Sequence, residues 1–561
     1  MTNSIVRGAN TPPLLELTIG EALDAAVARA PDALALISRH QDVSWTYREF
    51  GRRVDELAAG FVALGLETGD RVGIWAPNCA EWALTQFATA KAGIILVNIN
   101  PAYRLSEIEY TLNKVGVRAL VAAERFKTSD YVGMIEALAP EIATASPGEL
   151  VSRKLPKLKA VVKIGGAKRR GWFNFEDISG LAGKESREML TRFSSRLDRN
   201  DAINIQFTSG TTGLPKGATL SHRNILNNAY FVGANMRLKA GEKLCVPVPL
   251  YHCFGMVMGN LACVVHDSTI VYPAAGFDPV AVLEAVEKER CTALHGVPTM
   301  FIAELEHPDF ARFDLSSLRA GIMAGAPCPI EIMRRVVDQM HMREVTIAYG
   351  MTETSPVSFQ SAPDDPLERR VSTVGRIQPH LEVKIVNGEG EIVARGQTGE
   401  LCTRGYSVML GYWDDEEKTR AAVDADGWMH TGDLATLDDE GFCNIVGRLK
   451  DMVIRGGENV YPREVEEFLF RHPKIADVAV VGVPDAKYGE ELCAWIKLRT
   501  GASANAADIR TFCQGQIAHY KIPRYVRFVD EFPMTVTGKI QKFVIRAKMI
   551  EELGLTEAKT A

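Results

Sequence analysis

TSGTTGLPKG, residues 208–217, packs hydroxyls, glycines and a single lysine into one loop-forming stretch. Gly210, Gly213 and Gly217 admit backbone angles that turn successive N–H groups toward phosphate oxygens. Thr208, Ser209, Thr211 and Thr212 add hydroxyl donors, and Lys216 adds a positive charge. The apolar run before it, residues 202–207, predicts a short strand, and Ser221 predicts the cap of a helix over 221–228. The loop is therefore expected at a strand-to-helix turn, where oxyanions bind. Its spacing is not that of a P-loop, G-x-x-x-x-G-K-[ST], because Leu214 and Pro215 separate Gly213 from the lysine. A plain Ser/Thr/Gly linker is a poor account as well, since such linkers rarely end in Leu-Pro-Lys between a buried strand and a helix. A polyphosphate ligand, and so ATP chemistry, is the reading that fits.

Working outward, apolar runs at 33–37, 71–76, 94–98 and 119–122 alternate with amphipathic stretches at 46–64, 80–92 and 104–115, which is an α/β pattern. Residues 126–198 are less regular, with basic clusters at 154–157 and 168–170 that read as a solvated face, and are expected to bridge two sheets. From 374 to 445 the texture turns to glycine-punctuated β segments at 381–386, 391–393 and 399–404, predicting a smaller β unit. A hinge candidate follows at 447–451. Beyond it the pattern predicts helix 463–471, strands 478–483 and 492–498, helix 506–519, strand 525–529 and helix 540–551, a compact α+β domain.

At 561 residues the chain exceeds one hydrophobic core, and 46% hydrophobic with 24% charged residues is the balance of an ordinary folded protein. A net charge of −6 argues against holding nucleic acid by bulk electrostatics. Ten cysteines without a C-x-x-C pair leave neither a zinc ribbon nor a dithiol motif, and ordinary reduced thiols imply a cytoplasmic setting. The N-terminus lacks the apolar core of a secretory signal. Residues 244–266 contain no Asp, Glu, Lys or Arg, yet Pro247, Pro249, His252 and Asn260 predict a buried strand, a loop and a core helix rather than a membrane span. Transient contact with a membrane surface and a homodimer are both compatible with such a chain. G-x-S-x-G is absent, and the G-x-G at Gly388 and Gly390 is followed by Val393, so hydrolase and nicotinamide chemistry are both demoted.

Four further segments join the loop. YGMTET, residues 349–354, pairs an aromatic able to stack on a base with a hydroxyl and a carboxylate suited to a divalent cation. HTGD, residues 430–433, offers a carboxylate for two vicinal ribose hydroxyls, and Gly447 with Arg448 a fixed cation. PMTVTGKI, residues 533–540, sets Lys539 behind a glycine at a turn. Alone, Glu353, Asp433 and Arg448 would each read as cap or salt-bridge residues; their joint occurrence is the argument. The set resembles the acyl-adenylate-forming superfamily of acyl-CoA synthetases, peptide-synthetase adenylation domains and firefly luciferases. TSGTTGLPKG, YGMTET, TGD, GRLKD, GGENVYPREVE and TGKIQK stand in the family's order over nearly the whole chain, which looks most like medium-chain fatty-acyl-CoA synthetases.

The resemblance implies an α/β fold with a large N-terminal domain, 1–447, of two doubly wound β-sheets with helices plus a small β-barrel-like subdomain at about 374–447. A hinge at 448–451, with Lys450 at its pivot, and a small mobile α+β C-terminal domain, 452–561, complete it. It also implies roles. Thr208, Ser209, Gly210, Thr211, Thr212, Gly213 and Lys216 would hold the β and γ phosphates of ATP, and Thr208 with Glu353 would hold Mg²⁺. Tyr349, with Gly350 and Thr352 beside it, would pack on adenine against the Gly325-Ala326-Pro327 turn, and Asp433 with Arg448 would hold the ribose. Lys539 would be catalytic, against the α-phosphate and the attacking carboxylate. His252, in PLYHCFG, matches an aromatic position that contacts the carboxylate end of the acyl group or gates its entry. Gly456 and Gly457 would line a passage for coenzyme A once the C-terminal domain swings.

Relatives that activate amino acids place an aspartate near the segment 252–259; this chain has none there, which favours an uncharged acyl tail, with Met256, Val257, Met258 and Met323 as candidate lining. Little chain follows Lys539, so the thiol is expected on a separate molecule, CoA first. The expected activity is an ATP-dependent medium-chain acyl-CoA synthetase. An aryl or cinnamate-type or branched short-chain acid CoA ligase, or a ligase loading a free-standing carrier protein, stays open at this point.

Overall fold

The structure is a computed structural model that describes residues 2–208, 215–326, 328–456, 458–485, 487–535 and 538–555. Its apolar runs form parallel strands buried on both faces, as near-continuous hydrophobic sequence requires. One sheet of eight strands runs in the order Phe173–Asn174, Ala160–Ile164, Ala119–Ala123, Arg71–Trp75, Ile95–Asn98, Ala202–Thr208, Lys216–Ser221, Gly411–Tyr412, parallel through Ala202–Thr208 and antiparallel thereafter. A nine-stranded sheet has at its centre the parallel strands Glu344–Gly350, Ala320–Ala324, Ala293–Gly296, Lys243–Cys245, Thr269–Tyr272 and Leu34–Ser38.

Between these sheets lies a helical layer. Helix Ala80–Ala92 buries every residue but Glu81 and touches strands of both sheets; a helix apolar nearly all round has no other place to go. Its one buried cation, Lys91, is neutralised by Asp24 and Asp55. Helix His222–Asn235, opened by a capping box between Ser221 and Asn224, likewise reaches both sheets. One hydrophobic core consequently joins Val72, Leu120 and Ile205 of the first sheet to Ala293 and Ile322 of the second.

The β-rich segment forms a five-stranded antiparallel sheet, Ile5–Arg7, Leu381–Val386, Gly399–Gly405, Met429–Leu437 and Cys443–Arg448. The barrel-like expectation thus takes the form of an open sheet among the described residues, with an N-terminal strand at one edge. The small C-terminal domain carries its own cores on Ile475–Asp485 and Gly489–Leu498, packed by helices Pro462–Leu469 and Lys542–Glu552. Among the described residues no helix is long and apolar enough to cross a membrane.

Three sequence expectations are corrected. The loop after Thr208 returns through a second strand, Lys216–Ser221, paired antiparallel with the first, so it closes a hairpin rather than a strand-to-helix turn; the helix starts only after that strand. Residues 126–198 do not bridge two sheets but extend the first one, adding Ala160–Ile164 and Phe173–Asn174 at its edge. The helix expected over 506–519 ends at Cys513, where Gln514 turns extended and Gly515 takes φ +70°.

One buried group stands apart from the rest. Glu304, in helix Pro298–Leu305, is wholly buried and neither carboxylate oxygen has a hydrogen-bond partner. Burial therefore raises its pKa far above the ordinary carboxylate range. Between the two values the native state holds a proton that the unfolded state has lost, so the stability associated with Glu304 falls as pH rises, by about 1.4 kcal/mol per unit within that window. Glu304→Met is expected to raise the thermal midpoint, and the gain over wild type should widen from pH 5.5 to pH 8; a gain independent of pH would contradict a neutral Glu304.

Candidate active site

The polar residues of interest gather where parallel strands end, at the carboxyl edge that in open α/β sheets collects ligands. Thr208 ends strand Ala202–Thr208 and stands opposite Lys216 across the hairpin. Its Oγ1 donates to Glu353 Oε1 at 3.2 Å, and the Tyr412 hydroxyl donates to the same oxygen at 2.9 Å. Lys216 Nζ donates to that hydroxyl at 2.9 Å and lies over the tyrosine ring, 4.2 Å from its centroid. A lysine, a phenol, a threonine and a buried carboxylate thus form one chain. Burial lowers the Lys216 pKa, with Lys418 and Lys450 acting in the same sense against Glu353. Glu353 sits in the short turn Thr352–Thr354, whose position is fixed by the Met409 amide donating to the Glu353 carbonyl at 2.9 Å.

A second group is built across strands. Asp433 and Arg448 face each other in adjacent antiparallel strands, with Arg448 Nε 3.2 Å from Asp433 Oδ1. Tyr349, at the end of Glu344–Gly350, donates its hydroxyl to Asp433 Oδ2 at 2.6 Å. The carboxylate is buried and the guanidinium largely exposed. Burial raises the Asp433 pKa, and Arg448 and then Tyr349 oppose that rise. Each carboxylate oxygen has a further lone pair, so these bonds still leave room to accept from a ligand.

Lys539 comes to this place from the C-terminal domain. Its turn is tied by the Lys539 amide donating to Thr535 Oγ1 at 3.0 Å and the Thr535 amide donating to the Lys539 carbonyl at 2.8 Å. Gly538, at φ +76°, lets the turn close on Val297 and Thr299: a methyl group added there would lie 3.0 Å from each. Gly325, at φ +88°, is the facing backbone, and a methyl group there would come within 3.8 Å of Lys539 Cε. Burial pushes the Lys539 ammonium down, the Arg448 charge adds to it, and Asp433 and Glu353 oppose. His252 caps the helix that begins at Cys253, its Nδ1 accepting from the Phe254 amide at 3.3 Å. Burial, and after it the Lys539 charge, push its pKa down to about 3, so the ring is a neutral imidazole.

The structure therefore brings together Thr208, Lys216, Gly325, Tyr349, Thr352, Glu353, Asp433, Arg448 and Lys539, with His252 within electrostatic reach of Lys539 and Ala326 in the turn after Gly325. Ser209, Gly210, Thr211, Thr212, Gly213, Pro327 and Gly457 lie outside the described residues. Gly456 is found elsewhere, beside the hairpin Val453–Arg455 and Glu458–Val460, with its amide donating to the Tyr488 carbonyl at 2.8 Å. Lys450 follows the strand that ends at Arg448. Met256, Val257 and Met258 are buried on the π-helical turn Met256–Leu261. Met323 is not their neighbour: on its strand Ile322 and Ala324 face the interlayer core, and Met323, one residue out of step, packs into the core on the other side. Sequence reasoning missed Tyr412, which joins Lys216 to Glu353; the available signal was the Gly411-Tyr412 pair in a glycine-punctuated β segment.

A donor chain at a hairpin, a buried carboxylate with its cation, and a half-buried lysine from the C-terminal domain are accompanied by direct sequence kinship. The AMP-binding enzyme model matches residues 23–413, and the AMP-binding enzyme C-terminal domain model matches residues 464–539. The chain belongs to the AMP-binding enzyme family. It is 49% identical over 558 residues to the mitochondrial medium-chain acyl-CoA ligase of Danio rerio, across 99% of this chain and 92% of that one. Among solved structures it is similar to an anthranilate CoA ligase in complex with anthranoyl-AMP, with TM-score 0.85, 27% identity and coverage of 97% and 99%. It is also similar to ATP-bound MatB of Rhodopseudomonas palustris, with TM-score 0.82, 28% identity and coverage of 96% and 100%.

Within this site Gly350 has no room for a side chain, because an added methyl group would stand 1.8 Å from the Pro356 carbonyl oxygen. Gly350→Ala is expected to lower the stability of the N-terminal domain by on the order of 2 kcal/mol, read from urea unfolding. An unchanged midpoint would mean that the Pro356 segment yields freely.

Proposed function

We propose that the protein is an AMP-forming acid–thiol ligase acting on medium-chain fatty acids with ATP and CoA. A carboxylate oxygen attacks the α-phosphorus of ATP and diphosphate leaves; the CoA sulfur then attacks the acyl carbon of the acyl-adenylate, its proton is lost, and AMP leaves. The observation that carries this reading is the arrival of Lys539, from the C-terminal domain, half-buried and within electrostatic reach of Asp433, Arg448 and Glu353. An acid and a triphosphate repel, and a desolvated cation between them offsets the charge that builds at phosphorus.

In this proposal Lys216 and the hairpin loop hold the β and γ phosphates, and Asp433 accepts from the ribose hydroxyls with Arg448 fixing its orientation. Tyr349 lies against adenine beside Gly325. The Thr208 hydroxyl and Glu353 carboxylate are hard oxygen donors already in contact at 3.2 Å, a set that fits Mg²⁺. Bound there, Mg²⁺ would supply charge neutralisation for the phosphates. His252, neutral at working pH, faces the acid without competing for its charge. The buried, uncharged π-turn 256–261 suits an aliphatic tail better than an amino acid, whose ammonium would need a carboxylate partner. That all ten cysteines are free and buried supports a reducing, cytoplasmic setting. For the second half-reaction the C-terminal domain rotates about Lys450, carrying Gly456 and Gly457 to the site in place of Lys539.

Lys539→Ala is expected to lower acid-dependent diphosphate exchange by on the order of a hundredfold or more, while supplied acyl-AMP is still converted to thioester. Equal loss of both partial reactions would remove Lys539 from its role. Lys450→Pro is expected to leave adenylate formation intact and to slow thioester formation, because a fixed φ hinders rotation. Thioester synthesis at the wild-type rate would count against the swing.

A further inference from the structure

Of the motif HTGD the proposed chemistry uses Asp433 and leaves His430 without a part. His430 stands opposite Cys402 across strands Met429–Leu437 and Gly399–Gly405, and the pairing register slips between Glu400 and Cys402. Glu400 pairs with Leu434 and Cys402 with His430, so Thr431, Gly432 and Asp433 bulge from the pairing with Gly399–Gly405, while Asp433 stays paired with Arg448 on its other side. Glu400 and Cys402, two apart on one strand face, thereby converge on the same ring nitrogen. His430 Nδ1 is 2.9 Å from Glu400 Oε2 and 3.5 Å from Cys402 Sγ, and the three ligand atoms all lie within 4.8 Å of one another.

We propose that Glu400, Cys402 and His430 form a binding site for a thiophilic divalent cation, Zn²⁺ foremost, at the base of the bulge that carries Asp433. A thiol, an imidazole and a carboxylate are the donors that Zn²⁺ selects. Ligand atoms around one tetrahedral Zn²⁺ stand roughly 3.3–3.8 Å apart; the Sγ to Nδ1 separation already suits it, and the carboxylate, 2.9 Å from the ring nitrogen and within 4.8 Å of the sulfur, reaches it by a turn of the Glu400 side chain. The outer partners of such a site are in place as well. Asp424 Oδ2 lies 3.8 Å from His430 Nε2, on the far side of the ring, where a ligating histidine ordinarily meets a carboxylate. Glu400 Oε1 accepts from the Gly432 amide at 3.1 Å, which fixes the carboxylate and leaves Oε2 as the single ligating oxygen. Lys384, paired with Cys402 on the next strand, and Arg404 rest on the Trp428 ring, 4.6 and 4.5 Å from its centroid. Burial keeps the Cys402 thiol neutral, up to about 12, and a coordinated ion displaces that proton outright. Through the Glu400 to Gly432 hydrogen bond, occupancy bears on Asp433 one residue away, so the site is placed to tie metal supply to the ribose-binding carboxylate.

The test uses full-length protein stripped with a chelator and titrated with Co²⁺, a readout independent of acyl transfer. One equivalent of tetrahedral Co²⁺ with a thiolate-to-cobalt charge-transfer band is expected, displaced by Zn²⁺. Cys402→Ser should abolish the band and weaken Zn²⁺ binding by roughly tenfold or more, whereas Cys443→Ser should leave both unchanged. Should Cys402→Ser fail to fold, Glu400→Gln serves instead, keeping the band and losing affinity by a similar factor. No thiolate band in the wild type, one that survives Cys402→Ser, or an affinity unmoved by Glu400→Gln would overturn the site.

Discussion

An ammonium group partly withdrawn from water, with a second cation within electrostatic reach, is the constraint around which this molecule is organised. Lys539 is half-buried within electrostatic reach of Arg448, and Asp433 and Glu353 offset the two positive charges. Much of the surrounding backbone reads as provision for it. Two glycines at positive φ, Gly325 and Gly538, let the C-terminal turn and the N-terminal strand edge approach without side chains between them. The turn itself is cross-tied through Thr535. In the proposed reaction the carboxylates that compensate Lys539 would be joined by the negative charges of the nucleotide and the acid.

The carboxylates are held in turn by phenols. Tyr412 spans Lys216 and Glu353, and Tyr349 donates to Asp433, so each acid is oriented by a rigid ring anchored in a sheet. A phenol restrains a carboxylate without neutralising it. The acids lose rotational freedom while keeping lone pairs for ligands, which is the preorganisation that electrostatic catalysis calls for.

What the sequence disclosed and what it withheld divide along the range of the interactions involved. Apolar runs such as 71–76 and 119–122, the amphipathic stretch 46–64 and the cap at Ser221 are local signals, and the strands, the helix Tyr47–Ala63 and the start of the helix at His222 fall on them within a residue or so. The loop of 208–217 was legible as a phosphate-type turn, but its return strand was not: residues 216–221 are short, and while one edge pairs with the nearby 202–208, the other is covered by Gly411–Tyr412, far away in sequence. Residues 160–164 likewise become a strand through pairing with 119–123, a long-range event that composition alone does not announce. The site residues were legible as a set because motifs fix their identity, yet the Lys216–Tyr412–Glu353 chain and the outward face of Met323 depend on which sheet face each residue meets. Period-two alternation decides that face only once the register is known.

The all-round burial of helix Ala80–Ala92 has a consequence for how the protein comes apart. Because the two large sheets share one interior through it, neither can melt while the other stays ordered, and the N-terminal body should lose structure as a single cooperative block. The C-terminal domain, whose apolar clusters draw only on residues beyond 452, owes nothing to that interior and is free to open at a different temperature.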